Sequence, residues 1–165
     1  MPVISADTQG PVDLAAAGDP KTLISLVVGA NETAEVLSMR VSFNGTVATE
    51  NPVLIELILS DQTTAGVGSA ATEKVHNQKT GAGTAQIAAT FDHTVTSPVG
   101  DNEPTTMGDV LRAWDVHPQG GLIDVEFPEG RTFLIKPSQT VNIRATIPST
   151  GTVTAQARAG ITWRE

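Results

Sequence analysis

Residues 141–164 read VNIRATIPSTGTVTAQARAGITWR and contain the clearest strand signal in the chain. On both sides of a turn at 148–151, apolar and polar residues alternate one by one, which is typical of β-strands with one buried face. After the turn, the inward-facing set is Val153, Ala155, Ala157, Ala159, Ile161 and Trp163. The stretch therefore predicts two antiparallel strands. Its small alanines predict the close approach of a bulky neighbour, such as the opposite sheet or an adjacent subunit.

Similar patterns recur earlier in the chain. Within 34–44, ahead of an Asn44-Gly45 turn signal, the inward set is Leu37, Met39, Val41 and Phe43. Residues 53–59 are apolar on both faces except for Glu56, so this strand is predicted to be central or covered by a neighbour. Further strands are predicted at 22–29, 85–91, 110–117, 122–127 and 132–135. About eight or nine strands without a helix of three turns predict an all-β fold, an antiparallel β-sandwich with jelly-roll topology.

The 165-residue chain is predicted to form one sandwich domain over 21–165, preceded by an extended N-terminal arm over 1–20. Gly10-Pro11 and Gly18-Asp19-Pro20 punctuate the arm and interrupt regular structure there. We expect the arm to lie along a neighbouring subunit. Its candidate partner-binding residues are Val3, Ile4, Pro11, Val12 and Leu14.

Composition excludes several classes of partner. The net charge is −8 and the ten basic residues are scattered, whereas a nucleic-acid interface needs clustered Lys and Arg. There is no cysteine, so neither a disulfide framework nor a thiolate metal site is expected. No apolar run approaches the ~18 residues of a transmembrane helix, and the N-terminus lacks the pattern of a secretory signal. We therefore expect neither nucleic acid nor membrane as a partner.

Residues 110–127 are the most distinctive stretch and predict a hairpin. Pro118 ends the first strand because it has no N–H to donate, and Gly120-Gly121 permits a tight connection before the second strand. Trp114 is predicted to be a large core anchor in a chain with few aromatic residues. The structural residues of this hairpin are Trp114, His117, Pro118, Gln119, Gly120 and Gly121.

Two patterns in the same stretch have the spacing of a catalytic site or a metal site. Asp124 and Glu126 lie at i and i+2 on one strand face, as paired carboxylates of a glycosidase would. Asp115 and His117 have the spacing of two metal ligands on one strand. However, the later strands present Thr, Asn, Arg and Gln, not a further ligand, and few aromatic residues are present to bind a sugar. We therefore predict a non-enzyme with no catalytic residues, no metal site and no cofactor.

Four stretches together carry a family resemblance: SMRVSFNG at 38–45, PVLIEL at 52–57, WDVHPQGG at 114–121 and ITWRE at 161–165. In this combination the chain resembles small jelly-roll virion proteins of tailed bacteriophages, in the class of capsid decoration or cement proteins. The resemblance covers about residues 22–165 in pattern, and only the 114–121 stretch is distinctive. It brings no catalytic residues.

The resemblance implies a structural role in assembly. The expected partners are a major capsid protein and further copies of the chain, as a homotrimer. The expected location is the exterior of the virion capsid, after synthesis in the host cytoplasm. The alternative is a receptor- or carbohydrate-binding β-sandwich, such as a phage fibre tip or a lectin-like module, that uses the loops at 61–84 and 92–108.

Overall fold

The computed structural model describes residues 3–8, 10–47, 50–61, 68–76, 93–99 and 108–165. Within these ranges all regular structure is β-strand. In chain order the strands are β1 Val3–Asp7, β2 Val12–Asp13, β3 Pro20–Val28, β4 Ala34–Phe43, β5 Val53–Ser60, β6 Gly68–Ala70, β7 Thr72–His76, β8 His93–Val99, β9 Asp109–Val116, β10 Leu122–Glu126, β11 Phe133–Ile135, β12 Thr140–Thr146 and β13 Gln156–Arg164. No helix in the described ranges is long and apolar enough to cross a membrane. The strand predicted at 85–91 lies outside the described residues.

The strands form two antiparallel sheets. Sheet A has the order β10-β4-β13-β1-β7, with β11 pairing to β4 and β2 pairing to β13. Sheet B has the order β6-β8-β3-β12-β5-β9. The predicted all-β, antiparallel β-sandwich is therefore confirmed, whereas its jelly-roll connectivity stays a prediction.

The core lies between the sheets and follows the alternation read from the sequence. In β13, Ala157, Ile161 and Trp163 are buried, and the outward residues between them are more exposed except for Gly160. The strand contacts β3 of the opposite sheet. Small side chains at alternate positions let the two sheets approach closely there. Trp163 is completely buried and is the largest fully buried side chain among the described residues.

Two leucines depart from the predicted alternation because each lies at a β-bulge. In β4, Val36 pairs with Trp163 and Ser38 with Thr162, so Leu37 is the extra residue and is only half-buried, not inward as predicted. In β9, Leu111 is the extra residue. It packs against the core, while Val110 is exposed. A bulge shifts the side-chain alternation by one residue, which changes the face of everything beyond it.

The N-terminal segment differs from the predicted arm. Residues of β1 pair with β13 on one side and β7 on the other, and β2 pairs with the start of β13. Ile4 and Val12 are buried in the core, Leu14 packs against it, and Val3 is half-buried. Among the five predicted partner-binding residues, only Pro11 is exposed. The described part of 1–20 therefore belongs to the sandwich, because the alternation from Val3 to Asp7 supplies an apolar face worth burying.

The predicted hairpin at 110–127 is wrong in its pairing. β9 pairs with β5 in sheet B, and β10 pairs with β4 in sheet A. The connection at 117–121 therefore crosses from one sheet to the other, which five extended residues can do because packed sheets lie about 10 Å apart. We call this connection the corner. The local sequence correctly predicts both strands and the break between them. Their pairing partners depend on residues far away in the chain.

The two tryptophans differ in burial, and only Trp163 is in the core as the sequence predicts. Trp114 lies opposite Ile55 on the edge strand β9 and is only partly buried, so it is not the core anchor that the sequence predicted. We expect Trp163→Ala to cost about 3–5 kcal/mol of unfolding free energy and Trp114→Ala less than about 2 kcal/mol. Urea denaturation of both variants measures the difference. An equal or larger loss for Trp114→Ala would contradict this packing.

Candidate functional site

The corner is built by close approach of backbone, which requires glycine. A Cβ on Gly121 would lie 2.0 Å from the carbonyl oxygen of His117, and one on Gly45 would lie 2.7 Å from that of Pro118. Gly120 has φ +68°, in the left-handed region that glycine adopts freely. Pro118 is buried. These features explain why Pro and Gly occur at 117–121 although the two flanking strands do not pair with each other.

Hydrogen bonds fix the corner against the chain that follows β4. The backbone N–H of Gln119 donates to Nδ1 of His117 at 3.1 Å, and the side-chain amide of Gln119 donates to the carbonyl of Thr46 at 3.4 Å. Gly45 and Gln119 also form an isolated β-bridge. His117 and Gln119 therefore hold backbone, as a structural role for this stretch predicts.

A buried carboxylate near the corner joins the chain ahead of β5 to the chain ahead of β13. Glu50 is 7% exposed. One of its oxygens accepts hydrogen bonds from the hydroxyl and the backbone N–H of Thr154, both at 2.6 Å. Its other oxygen, Oε2, is buried and has no hydrogen-bond partner among the residues that the structure describes. The Thr154 hydroxyl, followed by the Thr154 N–H, lowers the pKa of Glu50, with smaller contributions from the Ala155 N–H and the charge of His117 and a partly opposing effect of burial.

The catalytic and metal patterns of the sequence do not form a cluster. No group of three or more His, Asp or Glu side chains placed to hold a metal occurs among the described residues. Asp115 is exposed on β9, whereas Asp124 and Glu126 are exposed on β10 in the other sheet. His76 lies on β7, where its Nε2 is in a hydrogen bond of 2.8 Å with Ser5 Oγ.

The outer face of sheet A carries a row of polar residues across five strand positions. Strand register places Asp124, Arg40, Gly160, Asp7 and Thr72 next to one another, from β10 through β4, β13 and β1 to β7. An ion pair of 2.8 Å between Arg40 Nη2 and Asp7 Oδ1 passes over Gly160. A Cβ at Gly160 would lie 2.2 Å from that Asp7 oxygen. Glycine therefore makes the room that lets the pair reach across β13.

Two shallow depressions flank this row on the outer face. One has a volume of about 530 Å³ and the other about 320 Å³, and they share Asp7, Arg40, Lys74 and Asp124. The larger one, called the groove below, is also lined by Thr8, Ser42, Thr72, Leu122, Arg158 and Ala159. Its lining has three cationic and two anionic side chains, so it is locally positive in a chain of net charge −8.

A second ion pair lies at the other end of the same face. Arg164 Nε donates to Glu35 Oε2 at 2.5 Å, and the Thr132 hydroxyl donates to the other Glu35 oxygen. The bond from Arg164, and next that from Thr132, lowers the pKa of Glu35. Because β13 and β4 are neighbours and Thr132 precedes β11, this network ties β11 to the sheet.

A third surface is the side of the sandwich where both sheets end. Within the described residues, β9 is an edge strand of sheet B, and β10 and β11 pair only with β4 of sheet A. We call these strands, the corner and residues 45–47 the open flank. The guanidinium of Arg112 lies 5.3 Å from the ring centre of Phe133, which contacts Phe127 edge-to-face at 4.9 Å. These contacts join β9 to β11 across the gap between the sheets.

Exposed large hydrophobic residues concentrate on the open flank. In the described ranges they are Val47, Val110, Leu122 and Leu134, each between 44% and 63% exposed. Val47 and Leu122 lie at the corner end. Val110 and Leu134 lie at the other end, where Arg112 meets Phe133.

Sequence reasoning missed the groove and the flank. Their residues come from strands far apart in the chain, so only pairing brings them together. A signal for the groove did exist: Arg40, Arg158 and Gly160 all occupy positions read as outward-facing. The segments at 61–84 and 92–108, predicted as binding loops, contain β6, β7 and β8, and their remaining residues lie mostly outside the described ranges.

Comparison with known proteins adds no relative. No protein-family model, curated protein or solved structure matches the chain.

Gly121→Ala tests the close approach at the corner. We expect a loss of about 2–3 kcal/mol in unfolding free energy, because the new methyl group meets the His117 carbonyl. Gly10→Ala is the matched control, since a Cβ there has no neighbour within 4 Å and should change stability by less than about 0.5 kcal/mol. Chemical denaturation measures both. Equal stabilities of the two variants would show that the corner backbone relaxes freely.

Glu50→Gln tests the buried carboxylate through pH. Because folding lowers the pKa of Glu50, its ionised form stabilises the fold above the unfolded pKa of about 4.3. This stabilisation is lost as pH falls through the lower folded pKa. The stability advantage of wild type over Glu50→Gln should thus be full at pH 7 and shrink towards pH 3. A constant Glu50→Gln difference from pH 7 to 3 would contradict the assignment.

Proposed function

We propose that the protein is a non-enzymatic structural protein of a virion, a capsid decoration protein of a tailed bacteriophage that stabilises the head by binding the major capsid protein and further copies of itself. The observation that carries the proposal is the open flank. Within the described ranges it combines strand edges of both sheets that have no further partner with four exposed apolar side chains. The choice of a phage capsid as the assembly comes from the resemblance at 38–45, 52–57, 114–121 and 161–165.

The flank has the properties of an association surface. Edge strands offer unpaired N–H and C=O groups to another chain, and soluble monomers usually blunt such edges with charge or cover. Here Leu122 and Leu134 occupy the edge of sheet A, and Val110 occupies the edge of sheet B. Burying apolar side chains of this size contributes about 25 cal/mol per Å² of surface. Contact with a second copy or with a capsid subunit would remove them from water.

The sandwich supplies the rigidity that a cement protein needs. The first described strand and the last strand of the chain pair side by side in sheet A, so both ends of the described chain are held within one sheet. The Arg112–Phe133 and Phe127–Phe133 contacts hold the two free edges in a fixed relation. A prearranged surface binds without a large ordering cost. We therefore propose homotrimers on the capsid exterior.

The receptor- or carbohydrate-binding alternative has less support. Sugar sites favour aromatic side chains, whose flat faces stack on the ring, and the described residues lining the groove include none. The loops assigned to this function, 61–84 and 92–108, fall mostly outside the described residues.

A flank variant, Val110→Lys with Leu134→Lys, tests the proposal. Wild type should co-sediment with expanded capsids of the virus that encodes it, raise their melting temperature and behave as a trimer in light scattering. The flank variant should lose most capsid binding, by about tenfold or more, because two buried charges would replace apolar contacts. Ala16→Lys with Ala17→Lys adds the same charge on an exposed turn and should bind as wild type does. Wild type that fails to co-sediment would overturn the function, and full binding by the flank variant would overturn the role of the flank.

A further inference from the structure

We propose that the groove on the outer face of sheet A is a docking site for an extended acidic segment of a partner protein. The groove runs across the strands, from Leu122 and Asp124 on β10 to Thr72 and Lys74 on β7. No part of it was assigned by the sequence. The proposal rests on the proposed function only in taking the occupant to be a protein.

The charge of the groove selects an acidic occupant. Arg40 is neutralised by its ion pair with Asp7. The side chains of Lys74 and Arg158 are exposed and make no hydrogen bond or ion pair with other described residues. Both line the groove, so among the described residues two available cations stand against one available carboxylate, Asp124. Arg158 and Lys74 lie on opposite sides of the Asp7–Arg40 pair, so two acidic side chains of one segment would each gain charge-assisted hydrogen bonds.

The ion pair over Gly160 gives the groove its shape. Asp7 and Arg40 stand as a ridge in the middle, with Arg158 one row away on β13 on one side and Lys74 one row away on β7 on the other. Ser42, the β4 neighbour of Arg158, is small. An extended chain that crosses the ridge can therefore reach both cations. The carboxylate of Asp7 is directed at Arg40 and so repels an incoming anion less than an unpaired carboxylate would.

The dimensions suit a short extended segment. Five strand positions span four gaps of about 4.8 Å, or roughly 19 Å in total. An extended peptide rises about 3.3 Å per residue, so the groove holds about six residues. At the β10 end, Leu122 is 63% exposed and offers an apolar contact, and Asp124 offers an acceptor for a backbone N–H. The fitting segment thus has an apolar residue at one end and acidic residues in the middle and at the β7 end.

Nucleic acid fits the groove less well. A phosphate backbone is uniformly anionic, and here it would meet Asp124 and Asp7 as well as the surrounding charge of a chain with net charge −8. A peptide can match the pattern because its acidic residues are spaced by neutral ones. The two unpaired cations set where the acidic side chains must lie.

The test is binding of a labelled hexapeptide that has leucine first and glutamate at its third and fifth positions, separated by serine. Fluorescence anisotropy at low ionic strength gives the affinity, and amide chemical shifts map the site. Wild type should bind the peptide with shift changes along β13, β1 and β7. A peptide with glutamine in place of glutamate should bind at least about tenfold more weakly.

Variants of the groove separate the site from general electrostatics. Arg158→Glu and Lys74→Glu should each weaken binding about tenfold. Arg131→Glu makes the same change of charge at an exposed turn outside the groove and should alter affinity less than twofold. Leu122→Ala should weaken binding about threefold through the apolar end. Unfolding curves of all four variants confirm that they are folded.

The outcomes that overturn the proposal are specific. They are equal binding of the glutamine peptide, equal loss in Arg131→Glu, shift changes confined to β9 and β11, or full competition by inorganic phosphate at the concentration of the peptide. Competition by single-stranded DNA at lower concentration than the peptide would assign the groove to nucleic acid and overturn it too. Capsid co-sedimentation of wild type reports on the proposed function separately. A groove without peptide affinity in a capsid-binding protein would overturn this inference alone.

Discussion

The register of β13 is the constraint on which the rest of the structure depends. This strand pairs with β4 on one side and with β1 and β2 on the other, and its alternate residues point into the core and out of sheet A. A slip by one residue would turn Trp163 to solvent and bury Arg164. The same register places Gly160 between Arg40 and Asp7. The core and the polar outer face are therefore two consequences of one pairing.

β-Bulges let the long strands keep their pairing although their apolar and polar residues do not alternate strictly. At Leu37, β4 takes up one extra residue, so that Val36 and Met39 both face inward although three positions separate them. At Leu111, β9 does the same against β5. Each bulge places a leucine where the sheet bends, and a bulge is a local increase in twist. Leu37 in consequence lines a surface depression with Phe127 and Pro128 and does not fill the core.

The sequence predicts where the strands lie but does not predict which strands pair. Strict alternation identified β4, β12 and β13, and a continuous apolar run identified β5, because side-chain period and burial are properties of a few adjacent residues. The bulges at Leu37 and Leu111 have no local signature, so the inward positions around them were misjudged. Strand partners were misjudged for the same reason. Nothing within 110–127 states that β9 joins β5 and β10 joins β4.

The N-terminal segment illustrates a related limit. Gly10-Pro11 and Gly18-Asp19-Pro20 do interrupt the chain, but they separate β1, β2 and β3 and do not mark the end of an arm. The alternation of Val3, Ile4, Ser5, Ala6 and Asp7 was present in the sequence. It does not by itself predict a strand, because five residues form a stable strand only when neighbouring strands pair with them. β13 and β7 provide those neighbours, and both lie far along the chain.

Sites built across strands are hidden from the sequence for a further reason. The groove takes residues from segments near positions 7, 40, 73, 123 and 159, and no two of these segments are adjacent in sequence. Arg158 and Lys74 are ordinary outward residues on their own strands. They become a site because β1 lies between β13 and β7 and brings them to the same sheet face, one on each side of the Asp7–Arg40 pair.

The two proposed surfaces have a relation that matters for assembly. A subunit with one association surface can close into a symmetric cluster, and it needs a second surface to attach that cluster to anything else. The open flank is apolar and edge-on, whereas the groove is charged and lies on a sheet face. They meet at Leu122, the first residue of β10, which directly follows the corner. Occupation of one surface therefore changes the surroundings of the other through this single side chain. Under the proposed function, copies joined through the flank would present grooves whose apolar ends border the new interface, so that assembly and docking of an acidic partner segment would be coupled through Leu122.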